Sequence, residues 1–118
     1  MNLTHKVWSG LLVIRPRGRV DSDTAGTFEA HCVSLICEGP TKVIVDFSDV
    51  DYISSAGLRA LLIAAKKAKS LGGALTLCGL KGSVGKVMSV SGFDTILGTH
   101  ADLPEAAAAL GACGIGPS

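Results

Sequence analysis

The stretch Val43-Ile44-Val45-Asp46-Phe47-Ser48-Asp49-Val50-Asp51-Tyr52-Ile53-Ser54-Ser55-Ala56-Gly57-Leu58-Arg59 decides the fold. From Lys42 to Phe47 it is almost wholly apolar and β-branched, the pattern of a strand covered on both faces. Acids close that run, and a Ser54-Ser55 pair stands at the foot of a long helical pattern. Serine is a favoured N-cap, because its oxygen accepts the orphan backbone N–H groups of a first turn. Glycine in the same turn costs about 1 kcal/mol relative to alanine. Gly57 therefore implies that another surface approaches the helix backbone closely. A capping serine, a small residue and a glycine leave a bare helix start, which favours negative charge. A hydroxyl in that position suits a phosphate switch.

On the N-terminal side, Lys6-Val7-Trp8 and Leu11-Leu12-Val13-Ile14-Arg15 flank Ser9-Gly10, which reads as a β-hairpin. Gly18-Arg19-Val20-Asp21 turns the chain toward a helix from about Thr24 to Cys37, whose start is signalled by Asp21, Ser22 and Asp23. Ala25, Phe28, Cys32, Leu35 and Ile36 recur at helical spacing as a buried stripe, and Glu38-Gly39-Pro40 stops the helix.

On the C-terminal side, the second helix spans about Ser55 to Leu71. Leu58, Leu61, Leu62, Ala65 and Ala68 turn to the sheet, while Arg59, Lys66, Lys67 and Lys69 turn to water. Gly72-Gly73 forms its left-handed cap, and the late lysines suit the helix dipole. Ala74 to Cys78 is the next strand, a short helix covers about Gly82 to Ser91, and a last strand lies near Thr95 to Leu97. Asp102-Leu103-Pro104-Glu105 has the form of a capping box that opens the helix ending near Leu110. Strands alternating with helices predict one α/β domain over residues 1–118. Its sheet is mixed and mostly parallel, with an N-terminal hairpin and about four helices. The core is expected over residues 6–110, with 111–118 a fraying tail.

Composition narrows the function. Hydrophobic content of 47% against 18% charged residues argues against disorder, and a net charge of +1 offers no field for nucleic acid or anionic membrane. Aromatics at 4% are too few for base-stacking platforms. The apolar runs fall short of the ~20 residues that span a bilayer. The opening Met1-Asn2-Leu3-Thr4-His5-Lys6 lacks the apolar segment of a signal peptide, so a cytoplasmic protein is expected. Cys32, Cys37, Cys78 and Cys113 read as free, buried thiols rather than disulfides. Cys32 and Cys37 point to different sides of one helix, so no metal site is expected.

Two catalytic readings fail on spacing. In Gly79-Leu-Lys-Gly-Ser-Val-Gly85-Lys86 the outer glycines stand one residue too far apart for a P-loop, and Val87 replaces the magnesium-binding hydroxyl. Ile53-Ser-Ser55-Ala-Gly57 is half of a nucleophile elbow, but isoleucine replaces its first glycine, and His100 is the one histidine that follows. Asp46, Asp49 and Asp51 read as a polar turn at the sheet's edge, with Asp49 or Asp51 ordering the loop. No cofactor is expected.

Taken together, the strand, acidic turn and Ser54-Ser55-Ala56-Gly57-Leu58 helix start resemble the signature of anti-sigma-factor antagonists, the STAS domains. The family's motif is Asp-Ser-Ser/Thr-Gly-Leu. Alignment on Gly57-Leu58 puts Ser55 on its phosphorylated serine, Ala56 on the second serine and Ser54 on the aspartate. Gly18-Arg-Val-Asp21-Ser-Asp-Thr24-Ala25 resembles the family's Gly-x-apolar-Asp-x-x-Thr-Ala turn. Val84-Gly-Lys-Val-Met-Ser-Val-Ser-Gly92-Phe93 resembles its later helix, so the likeness runs from about Val7 to Leu110.

The resemblance implies a bacterial partner-switching regulator of transcription that is not itself an enzyme. Its partner surface would comprise Asp21, Ser54, Ser55, Ala56, Gly57 and Arg59. Unphosphorylated, it would bind an anti-sigma factor that is also a serine kinase. Phosphorylation at Ser55 would release it, and a serine phosphatase would reset it. The departure at Ser54 leaves a second reading open, a STAS subunit that binds a transporter component constitutively. A small-ligand or nucleotide sensor is a third.

Overall fold

The computed structural model describes residues 2–93 and 97–110. The hairpin consists of β1 (Leu3–Trp8) and β2 (Leu11–Pro16), in antiparallel register from Leu3↔Pro16 to Trp8↔Leu11. Ser9 and Gly10 have φ of 51° and 77°, the left-handed pair of a type I′ turn whose twist matches the strands it joins. β4 (Lys42–Asp46), β6 (Ala74–Cys78) and β7 (Gly98–His100) then add in parallel, giving the order β1-β2-β4-β6-β7. The helices are α1 (Ala25–Glu38), α2 (Ser55–Ser70), α3 (Gly82–Ser91) and α4 (Leu103–Ala109).

Strand alternation assigns the two faces. Leu12, Ile14, Val43, Val45, Leu75 and Leu77 enter the large core, which also holds Phe28 and Ile36 of α1, Leu61 and Ala64 of α2, and Met88 of α3. Leu11, Ile44 and Cys78 point the other way and form a smaller core with Ala106 and Ala107 of α4. The near-continuous apolar reading of residues 42–47 is thus explained by burial on both sides.

A second sheet accompanies the first. β3 (Gly18–Val20) pairs in parallel with β5 (Val50–Ile53). Both segments read as turns in the sequence, because three or four residues are too few to display a period. α1 begins on the Asp21 turn, with the Asp21 carbonyl accepting from the Thr24 and Ala25 amides at 3.2 and 2.8 Å.

α2 ends at Ser70, where Gly72 takes φ +85° and the Gly73 amide returns to the Ala68 carbonyl at 2.9 Å, a left-handed cap that glycine adopts without steric cost. Its buried stripe is Gly57, Leu58, Ala60, Leu61, Ala64 and Ala68. Ala65 is partly buried and packs against the large core as expected, whereas Leu62, also expected against the sheet, is half-exposed, and Lys67 is half-buried. The alanines at four-residue spacing take the inner positions, where α1 packs beside α2.

Three further expectations change. The final strand begins at Gly98, because β6 pairs with Gly98, Thr99 and His100, while the Leu97 amide bonds back to the Phe93 carbonyl at 2.8 Å. Thr95 and Ile96, together with the expected tail 111–118 and Cys113, lie outside the described residues. Asp46 belongs to the protein interior rather than to an edge turn. It is 4% exposed, pairs with Arg15 Nε at 3.0 Å and accepts the Ser48 amide at 3.0 Å, so Asp46, not Asp49 or Asp51, orders the turn. Among the cysteines, Cys32 and Cys78 are buried but Cys37 is exposed. α4 begins at Leu103, and the Asp102 carboxylate accepts the Glu105 amide at 3.0 Å, completing the forward half of the expected capping box.

Burial pushes the Cys32 thiol up to about 12. Burial, with the Asp46 charge and hydrogen bond, does the same to Cys78, also to about 12. The thiolate is the reactive form, so a thiol reagent applied to the folded protein should modify Cys37 and spare Cys32 and Cys78 until denaturant is added. Peptide mapping by mass spectrometry reads this directly. Rapid native labelling of Cys32 would contradict its placement in the core.

Candidate functional site

The site forms where the small β3–β5 sheet delivers two chain ends side by side. Val20 is the hinge of this arrangement. It pairs with Ile53 in the ladder, and its carbonyl accepts the Ser54 amide at 2.8 Å. Asp21, one residue beyond Val20, is thereby held next to the start of α2.

Ser54 is the N-cap of α2. Its backbone is extended, its hydroxyl accepts the Gly57 amide at 3.2 Å, and its carbonyl accepts the Leu58 amide at 3.0 Å. The two serines therefore have different tasks. Ser54 is half-buried and engaged in the cap; Ser55 is the first helical residue, is exposed, and its hydroxyl makes no hydrogen bond among the described residues.

The close approach that Gly57 implied is internal. A Cβ at this position would lie 2.7 Å from Ile53 Cγ1, 2.8 Å from Val20 Cγ1 and 2.9 Å from the Val20 carbonyl oxygen. Gly57 is buried, so the expectation that it lines a partner surface is corrected. It lets the first turn of α2 sit against β3 and β5, and so sets where Ser55 projects. Ala56 is half-buried beside it, and Arg59 is exposed.

Asp21 is occupied in its own turn. One carboxylate oxygen accepts the Asp23 amide at 3.0 Å, the Thr24 amide at 3.2 Å and the Thr24 hydroxyl at 3.3 Å; the other lies 3.5 Å from Arg19 Nε. Desolvation acts to raise its pKa, but the backbone bonds from Asp23 and Thr24, the Thr24 hydroxyl and Arg19 outweigh it and hold the carboxyl below its ordinary 3.8. Arg19 also lies 4.4 Å from the ring centroid of Tyr52. This cation–π pair is partly exposed beside the site, and the sequence reading passed over it. The one signal that would have found it is the parallel β3–β5 register, which makes Arg19 and Tyr52 direct neighbours.

His100, the histidine a hydrolase would need, stands on the edge strand β7 with Nδ1 3.4 Å from Glu105. What the site presents is an exposed alcohol at a capped helix start, flanked by Asp21 and an arginine one turn along. Such an arrangement suits a surface that accepts a substituent or a partner. No described helix is long and apolar enough to cross a membrane.

An α/β domain with this sheet order and a serine-capped helix at the end of a strand defines a class. The STAS domain model matches residues 2–106, and the chain belongs to that family. A protein of Bordetella bronchiseptica named as an anti-sigma factor antagonist, BtrV, is 40% identical over 109 residues, covering 92% of this chain and 93% of that one. Among solved structures, one from Thermotoga maritima, also named as an anti-sigma factor antagonist, has a TM-score of 0.86 at 22% identity and covers 92% of this chain and 93% of that one. The Bacillus cell-fate determinant SpoIIAA in its phosphorylated form has a TM-score of 0.65 at 20% identity, covering 86% of this chain and 93% of that one. The solved structures are likenesses of fold.

Two predictions follow from the geometry. Gly57→Ala should cost about 1–3 kcal/mol in chemical denaturation, the range for overpacking a closed contact, because backbone as well as side chains obstruct the new methyl. An unchanged midpoint would mean that α2 lifts freely from Val20. Because the folded Asp21 carboxyl titrates below its unfolded value, its contribution is whole above that value and is lost as pH falls through the folded one. Asp21→Asn should therefore remove a component of acid destabilisation below pH 3.8, measurable as a flatter dependence of unfolding midpoint on pH.

Proposed function

We propose that this chain is an anti-sigma-factor antagonist that works by partner switching, with Ser55 as its switch residue. The observation that carries the reading is the division of labour between the serines: Ser54 holds the cap, leaving the exposed Ser55 hydroxyl free for modification. The 40% identity to a protein named as an anti-sigma factor antagonist over nearly the whole chain supports it.

In this reading the protein is ligand and substrate, not catalyst. Unmodified, the surface around Asp21, Ser55, Ala56 and Arg59 docks on an anti-sigma factor with ATP-dependent serine kinase activity, which frees the sigma factor. For release, the Ser55 oxygen attacks the γ-phosphorus of ATP. The new O–P bond forms as the bond to the β,γ-bridging oxygen breaks; ADP departs with that electron pair, and the serine proton passes to a base on the kinase. The added charge, about −1.5 to −2, then sits in a surface shaped for a neutral hydroxyl. A serine phosphatase restores the alcohol with water. All three proteins would meet in the cytoplasm.

The fold should tolerate the change, because negative charge at a helix N-terminus is favourable by about 0.3–1 kcal/mol. The test isolates the endogenous protein with its bound partners and adds ATP. One phosphate should appear, map to Ser55 and be absent in Ser55→Ala. Ser55→Asp should lose partner affinity while its thermal midpoint stays within a few degrees of the parent. Phosphate mapped to Ser54 or Ser83 would overturn the assignment. A chain that takes up no phosphate, and binds a transporter component equally well as Ser55→Asp, would instead be the constitutive subunit that the Ser54 departure allows.

A further inference from the structure

The outer face of α2 carries a feature that partner switching does not itself require. At about 100° per residue, Ser55, Arg59 and Lys66 fall within about 40° of one another, opposite the stripe of Gly57, Leu61, Ala64 and Ala68 that enters the core. All three are exposed. Ser55 and Arg59 stand four residues apart, the spacing that places side chains one above the other on a helix. Side chains on a helix lean toward its N-terminus, which puts the turn that begins with Ser55 within reach of the Arg59 guanidinium. Arg59 makes no ion pair or hydrogen bond among the described residues.

Of the neighbouring charges, Asp21 and Arg19 are engaged with one another, whereas the Asp51 carboxylate is exposed. Asp21, beyond Val20, is held by Arg19 and its own turn. Arg19 is shared between Asp21 and Tyr52. On the adjoining β5, Asp51 is exposed, and its backbone carbonyl accepts the Ser83 hydroxyl of α3 at 3.0 Å. Lys66 is nearly two turns farther along than Arg59.

We propose that Arg59 is a built-in receiver for a phosphate on Ser55. Once the phosphate is present, the guanidinium folds over it through charge-assisted N–H···O bonds and is withdrawn from the surface that meets the partner. One modification thus changes two elements of that surface, a hydroxyl and a free cation. Arg59 is here a positioning residue that acts through the modified serine. The inference rests on the Ser55 reading for its physiological meaning, but the clamp itself is a property of the helix.

The experiment installs phosphoserine at position 55 by genetic code expansion, so that no kinase is needed, and follows the second phosphate ionisation by ³¹P NMR at low and high salt. The ordinary value is about 6. With Arg59 present it should lie about 0.3–0.7 unit below that of phosphorylated Arg59→Gln, the size of an exposed ion pair, and the difference should shrink in high salt. Lys66→Gln should leave the titration unchanged. Unphosphorylated Arg59→Gln should melt with the parent, because its side chain is exposed. Equal titrations for the parent and Arg59→Gln would overturn the clamp, as would an equal effect of Lys66→Gln. Neither result depends on whether Ser55 is the residue modified in the cell, so failure of the clamp and failure of the switch assignment are separable.

Discussion

The contact between Val20 and the first turn of α2 governs the rest of this structure's working end. Val20 pairs with Ile53, its carbonyl receives the Ser54 amide, and its side chain leaves room only for a hydrogen at position 57. These constraints fix the helix start against a strand only three residues long. The energetic cost of Gly57 in a helix is offset by the packing of Val20 and Ile53, both essentially buried. Because Asp21 follows Val20 directly, the same contact sets the Asp21 turn beside Ser54 and thereby joins the beginnings of α1 and α2 in one surface.

Ser54 gives that surface its electrostatic character. The family motif has an aspartate at this position; serine retains the capping oxygen and removes the charge. Asp21 remains a nearby acid, but its carboxylate is engaged by amides, a hydroxyl and Arg19. The Ser55 hydroxyl therefore stands beside an uncharged cap rather than an aspartate, with an exposed arginine one turn away. A buried acid does appear elsewhere, at Asp46, where Arg15 and Ser48 satisfy it. Its role is to hold the end of β4 and the following turn, from which the chain enters β5. Removing Arg15 would leave the buried Asp46 charge uncompensated, so the pair is a structural fastening of this turn.

Much of the architecture was legible because its signals are local. The I′ turn at Ser9-Gly10, the doubly covered β4, the Gly72 cap and the limits of α3 all follow from residue types within a few positions of one another. What escaped was non-local. β3 and β5 are strands only because they pair across more than thirty residues of intervening chain. The inner face of α2 could not be resolved between leucine and alanine, since α1 selects the small residues by how closely it packs. Gly57 was read correctly as a sign of close approach, but the approaching surface is the protein's own. The family motif separated the two serines by alignment on Gly57-Leu58; what it could not display is the physical difference between them, that the Ser54 hydroxyl is engaged by the Gly57 amide while Ser55 is exposed.

As the proposed switch residue, Ser55 would face opposing demands: it must stand on a rigid platform to be recognised, and it must change without loosening that platform. The geometry meets both by separating neighbouring side chains. Ser54 closes the helix, Gly57 seats it, and Leu58 and Leu61 anchor it in the core; Ser55 contributes none of these bonds. A substituent on Ser55 consequently has no native contact to break. Any effect it has on a partner would then arise from charge and bulk presented at a fixed place, with Arg59 one turn along the same helix as the proposed receiver.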